Sequence, residues 1–89
     1  MSGKFLLGQT VTTRNALDTL QPEDVLVAMQ RHHTGDWGDL CEEDREANER
    51  ALKHGGRLFS VYHDRNGMKF YIITECDRSY TTVLLPEDY

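Results

Sequence analysis

The apolar residues in the second half of the chain fall into three short runs. Arg57–His63, Met68–Glu75 and Tyr80–Leu85 are rich in β-branched and aromatic residues and read as three strands. Between the first two lies Asp64-Arg65-Asn66-Gly67, whose Asn-Gly pair is a strong short hairpin signal. Read as a two-residue turn, it sets Arg65 against Met68, His63 against Phe70, Val61 against Ile72 and Phe59 against Thr74. That register gathers Phe59, Val61, Phe70 and Ile72 on a core face and Leu58, Ser60, Tyr62, Tyr71, Ile73 and Glu75 on a second face. The second face is too apolar to stay wet. Either the N-terminal arm or a partner must cover it, and intramolecular cover is the favoured expectation.

The first half reads as helices. Phe5 to Val11 forms a short strand or an ordered arm, and Thr12 or Thr13 caps a short helix bearing Ala16, Leu17 and Leu20. Gln21-Pro22-Glu23-Asp24 opens a second helix, with proline at a tolerated first position and two acids at the positive end of the helix dipole. That helix carries Val25, Leu26, Ala28 and Met29 and frays by His33, before Gly35. A third spans Leu40 to His54 and stops at Gly55-Gly56 in a left-handed cap. Its inward stripe is unusual: Leu40, Ala47 and Ala51 share it with Asp44 and Asn48, which must find partners there. The expected architecture is α+β, with two or three N-terminal helices packed on one face of a three-stranded antiparallel meander. Residues 1–89 form one domain: arm 1–11, helical part 12–55, sheet 56–89.

Composition narrows the class. At 89 residues, with 38% apolar and 28% charged, the chain is an ordinary globular domain. No run approaches the ~18 apolar residues of a membrane span, and Met1 to Leu7 lacks the long apolar stretch of a secretory signal. Cys41 and Cys76 have no ligand-type spacing, so a reducing cytoplasm is the expected location, with neither disulfide nor zinc site.

Charge changes the picture more. Asp36, Asp39, Glu42, Glu43, Asp44, Glu46 and Glu49 oppose only Arg45, so residues 36–49 carry −6 of the net −5 and the remainder carries +1. Clustered Lys and Arg are what nucleic acid requires, so direct DNA or RNA binding is disfavoured. An acidic stripe instead suits a basic protein surface. The simpler reading is a solvated helix face.

Two clusters could carry chemistry. In Arg31-His32-His33-Thr34-Gly35-Asp36-Trp37-Gly38-Asp39, two glycines frame a tight loop around the sole tryptophan. Adjacent helical histidines point about 100° apart, so His32 and His33 do not share an ion easily and no metal is expected. Trp37 as a core plug, with Asp36 holding Arg31 or capping the following turn, accounts for the motif. In the second cluster, Glu75 and Asp77 could form a general acid–base pair. A turn held by Asp77 and Arg78 explains the same residues without chemistry. Arg31, His32, Asp36, Asp44, Asn48, Asp77 and Arg78 are therefore expected to be structural, and no cofactor is expected.

Arg31-His32, Gly35-Asp36-Trp37-Gly38, Asp44 and Asn48 recur in a pattern that continues through Ser60-x-Tyr62, Ile73-Thr74-Glu75-x-Asp77-Arg78, Thr81-Thr82 and Leu84-Leu85-Pro86-x-x-Tyr89. Over residues 12 to 89 this resembles small uncharacterised bacterial proteins of plasmids, integrative elements and prophages. The resemblance implies a mobile-element context, a bacterial cytoplasm and conflict with host defence. The expected function is a non-catalytic acidic interaction protein that inhibits a bacterial defence system, of the anti-CRISPR or anti-restriction kind. Asp39, Glu42, Glu43, Glu46 and Glu49 would engage a basic nucleic-acid-binding surface, and Trp37, Tyr62 and Tyr71 would supply the apolar anchor. Two alternatives stand beside it: a small hydrolase using His32 and Asp36 with Glu75 and Asp77, and a homodimeric accessory subunit.

Overall fold

A computed structural model describes residues 3–89. Four strands form one mixed sheet in the order β1-β4-β3-β2: β1 (Gln9–Thr12), β2 (Leu58–His63), β3 (Lys69–Thr74) and β4 (Tyr80–Leu84). Strands β2, β3 and β4 make the expected antiparallel meander. The expectation of three strands is corrected by β1, which pairs parallel to β4 with Gln9 opposite Tyr80 and Thr12 opposite Val83. This pairing joins the two ends of the chain, so no local pattern announces it.

The hairpin register also differs from the two-residue reading. Asp64 N–H donates to the Met68 carbonyl, and Gly67 N–H donates to the Asp64 carbonyl. Arg65-Asn66-Gly67 is thus a three-residue loop, with Gly67 at φ 79° supplying the left-handed step that such loops need. Asp64 stabilises it directly, its Oδ1 accepting from the backbone of Asn66 and Met68, each at 2.9 Å. Leu58 therefore faces Thr74, Ser60 faces Ile72 and Tyr62 faces Phe70.

One inner face now carries Leu58, Ser60, Tyr62, Phe70, Ile72, Thr74, Thr81 and Val83, all buried. Helices α1 (Arg14–Thr19) and α2 (Pro22–His33) cover it, and Ala16, Leu20 and Ala28 join Tyr62, Phe70, Ile72, Val83 and Leu85 in the main core. Residues 4 to 7 tie the N-terminal arm down: Lys4 N–H donates to the His33 carbonyl and the Thr81 hydroxyl to the Leu7 carbonyl. The outer face carries Phe59, Val61, Tyr71, Ile73 and Leu84, with Tyr89 against Phe59 and Tyr71. Asp88 anchors this C-terminus by accepting from Thr13 and Asn15 at the start of α1, both at 2.7 Å.

Helix α3 (Glu42–His54) does not share the inner face with α1 and α2. It runs beside β2, the outermost strand of the meander. Asn48 is 3% exposed; its Nδ2 donates to the Phe59 carbonyl at 2.7 Å and its Oδ1 accepts from Phe59 N–H at 3.1 Å. Two residues on, Val61 N–H donates to the Trp37 carbonyl and Asp39 N–H to the Val61 carbonyl. The outward backbone groups of β2 are thereby satisfied by a side-chain amide and a loop. The inward stripe of α3 is consequently Arg45, Asn48, Ala51 and Leu52, while Ala47 and Asp44 are exposed. Among the described residues, no helix is long and apolar enough to cross a membrane.

Candidate docking surface

The Trp37 loop is fixed from several sides. Gly38 lies at φ 78°, and a Cβ there would fall 2.0 Å from the Val61 carbonyl oxygen, so only glycine permits the close approach to β2. Arg31 forms a two-pronged pair with Asp36 (2.8 and 3.1 Å), which holds the Asp36 carboxyl below its ordinary range. The Arg31 guanidinium also lies 4.9 Å from the centre of the Tyr62 ring, whose hydroxyl donates to the Asp36 carbonyl at 2.6 Å. Burial pushes the Tyr62 hydroxyl up to about 12. Trp37 and Tyr62 are each 2% exposed, which corrects their assignment as partner anchors. The indole instead donates to Glu49 at 3.0 Å, and Arg45 donates to the Gly38 carbonyl at 2.7 Å.

His32 is fully buried among hydroxyls. Its Nδ1 lies 2.5 Å from Ser60 Oγ and its Nε2 lies 2.9 Å from Thr74 Oγ1. Thr74 Oγ1 is in turn 2.8 Å from Thr81 Oγ1, which donates to the Leu7 carbonyl at 2.6 Å. A carbonyl can only accept, so the chain has one direction. Thr81 donates to Leu7, Thr74 to Thr81, and His32 Nε2–H to Thr74, leaving Nδ1 to accept from Ser60. This wiring requires neutral imidazole, and burial, helped by the charges of His33 and Arg78, drives the His32 pKa down to about 3.

A hydroxyl paired with an imidazole is the raw material of nucleophilic catalysis. Here both groups have no exposed surface, so substrate has no approach. Nor does the structure assemble the sets considered from sequence. His32 is turned inward while Asp36 is exposed on Arg31, and Asp77 is occupied by the backbone and hydroxyl of Ser79. His33 turns instead to the Phe5 carbonyl, away from the partners of His32. Arg78, at φ 61°, donates to the carbonyls of Gly56, Ala51 and Glu75, tying the β3–β4 turn to the end of α3.

The acidic residues separate into two groups. Asp36 is paired with Arg31, Asp39 accepts from His63 Nδ1 at 2.8 Å, and Glu49 accepts from Trp37. Glu42, Glu43, Asp44 and Glu46 are exposed and, among the described residues, have neither ion pair nor side-chain hydrogen bond. Beside them runs a groove of two depressions, about 320 and 310 Å³, which share Asp44 and Phe59. Its floor is Phe59, Val61 and Tyr71, and Tyr89 closes one end. Arg57 lies 5.6 Å from the Tyr89 ring centre and Lys69 5.9 Å from that of Tyr71. Sequence reasoning singled out Tyr71 but missed Phe59 and Tyr89, which only the corrected register and the folded-back C-terminus bring together. Scans against protein-family models, curated proteins and solved structures find no match to this chain.

Proposed function

We propose that this is a non-catalytic docking protein whose acidic helix α3 binds a basic, nucleic-acid-binding surface on a protein target. The observation that carries this reading is the quartet Glu42, Glu43, Asp44 and Glu46, exposed and, among the described residues, without internal partners. Helix physics explains part of it. Acids in the first turn are favoured by the dipole, each by about 0.3–1 kcal/mol. Glu46 lies beyond that turn, where the like charge of Glu42 four residues before and the opposite charge of Arg50 four residues after offset each other, each at about 0.2–0.5 kcal/mol. Four exposed carboxylates within five residues support a basic partner. The adjoining aromatic groove supplies the apolar contact in place of Trp37 and Tyr62. The motif resemblance to small proteins of plasmids and prophages supports a target in bacterial defence, met in the host cytoplasm.

The test is affinity capture from a bacterial lysate, paired with a Glu42→Lys/Glu43→Lys/Glu46→Lys variant. The expected result is a nucleic-acid-binding protein that is released by DNA or RNA and is not captured by the variant. Equal capture by the charge-reversed chain, or capture of no such protein, overturns the reading.

A further inference from the structure

The two outer edges of the sheet are treated differently. The β2 edge is closed by Asn48 and the Trp37–Asp39 backbone, whereas β1 pairs with β4 on one side and, among the described residues, with nothing on the other. All four of its residues are exposed. Gln9 N–H donates to the Ser79 carbonyl and Thr13 N–H to the Val83 carbonyl, so odd-numbered backbone groups face β4. By the alternation of a parallel ladder, the N–H and C=O groups of Thr10 and Thr12 point outward. The strand reads Gln-Thr-Val-Thr and, though short, has no charge and no proline to blunt the edge.

We infer that β1 is a self-association edge, where a second copy of this chain adds antiparallel to make one continuous eight-stranded sheet. Three observations select a second copy as the occupant. First, the edge is self-complementary. A two-fold axis through Val11 sets Thr10 against Thr12 of the other copy, so both outward residues of each strand exchange N–H···O bonds. Val11 then meets Val11 in the close, non-hydrogen-bonded position. Second, charge permits it. A chain of net charge −5 resists self-association, yet the −6 segment lies beside β2 at the opposite side of the sheet. Lys4, Arg14 and Asp18 are the only charged side chains in the first 22 residues. Third, apolar surface flanks the strand. Val11 is 37% exposed, and Leu17, 65% exposed, lines a small pocket of about 130 Å³ with Thr12 and Leu20. Such a dimer would carry its two acidic helices on its outer ends.

Sedimentation of the full chain from micromolar to millimolar concentration tests this. The expected result is a monomer–dimer equilibrium that Val11→Lys shifts to monomer by tenfold or more while leaving the circular dichroism spectrum unchanged. Leu26→Lys, at an exposed position on α2, should leave the equilibrium as it is. Both cysteines are exposed, so a Cys41→Ser/Cys76→Ser background is used for a second measurement. There, Val11→Cys should cross-link into a dimer under mild oxidation, since facing residues in that position suit disulfide geometry. A strict monomer at all concentrations, or a dimer broken by Leu26→Lys and not by Val11→Lys, overturns the inference. Because no target protein enters the assay, its outcome is independent of the docking reading.

Discussion

Asn48 holds both backbone polar groups of Phe59 and so does the work of a neighbouring strand with one side chain. Its amide supplies a donor and an acceptor at the spacing a peptide would, and α3 is thereby aligned along β2. Replacing it by alanine strips partners from two backbone groups, at about 1–3 kcal/mol for a buried polar group left unmade. Asn48→Ala should lower stability by about 2 kcal/mol, seen as a reduced urea midpoint at unchanged slope. Asn48→Asp, nearly identical in shape, should be similarly harmful because a carboxylate cannot donate to the Phe59 carbonyl. A neutral result for the aspartate would mean that Asn48 acts only by filling space.

Gly38→Ala should be among the costliest small substitutions. The new Cβ would meet the Val61 carbonyl oxygen at 2.0 Å, and backbone at φ 78° strains any residue with a Cβ. The loss should reach at least about 2 kcal/mol, a fall in melting temperature of roughly 10 °C for a domain of this size. Calorimetry of the variant checks it directly.

The neutral state of His32 makes a signed prediction for pH. In the folded chain its pKa is lowered to about 3 from an ordinary 6.5. Between these values the unfolded chain binds a proton that the folded one refuses. Stability is therefore full above about pH 6.5 and falls as pH drops, by at most about 1.4 kcal/mol per pH unit. Asp24, Asp36, Asp77 and Asp88 are also shifted downward, but from 3.8, so they add to the loss only in stronger acid. His32→Gln should be less stable at neutral pH yet show a flatter dependence between pH 6.5 and about 4.5. Parallel curves for the two proteins would refute a buried neutral imidazole. Nitrogen-15 NMR should further place the ring proton on Nε2.

Charge reversal on α3 should separate folding from binding. Glu42→Lys/Glu46→Lys changes exposed side chains that have no internal partners among the described residues, so the fold should persist, with stability lowered by about 1–2 kcal/mol because a base replaces an acid at the positive end of the helix dipole. Binding of the captured target should weaken sharply, and the wild-type affinity should fall with added salt, which screens exposed charges beyond about 10 Å at 0.1 M. Salt-insensitive binding would place the contact elsewhere.

Local signals in the chain marked most elements well. Pro22 opens α2, Gly55 follows the last residue of α3, and the three β-rich runs became β2, β3 and β4 with ends moved by a residue or so. What stayed hidden depended on side chains acting as backbone. Asn66-Gly67 fits either a two- or a three-residue loop, and the Asp64 carboxylate, bonding two backbone N–H groups, belongs to the longer one. That one-residue change reassigned every position on β3 relative to β2. Likewise the spacing predicts an inward stripe of Leu40, Asp44, Ala47, Asn48 and Ala51 on α3; Asn48 does find partners, on a strand edge, whereas Asp44 and Ala47 are exposed. The parallel β1–β4 pairing and the aromatic cluster of Phe59, Tyr71 and Tyr89 arise from contacts distant in sequence. The acidic segment was visible at once as composition. Which of its carboxylates are tied down could be seen only after Arg31, His63 and Trp37 were in place.

The single indole of the chain links three parts of the molecule at once. Trp37 bonds Glu49 on α3, stacks at 6.1 Å on Phe5 of the arm and meets the His32 ring edge-on at 5.6 Å. Its fluorescence is thus an unlabelled gauge of the seam where the acidic helix joins the sheet. Unseating α3 would expose the ring to water and shift its emission to the red, whereas changes confined to the β1 edge would leave the colour untouched.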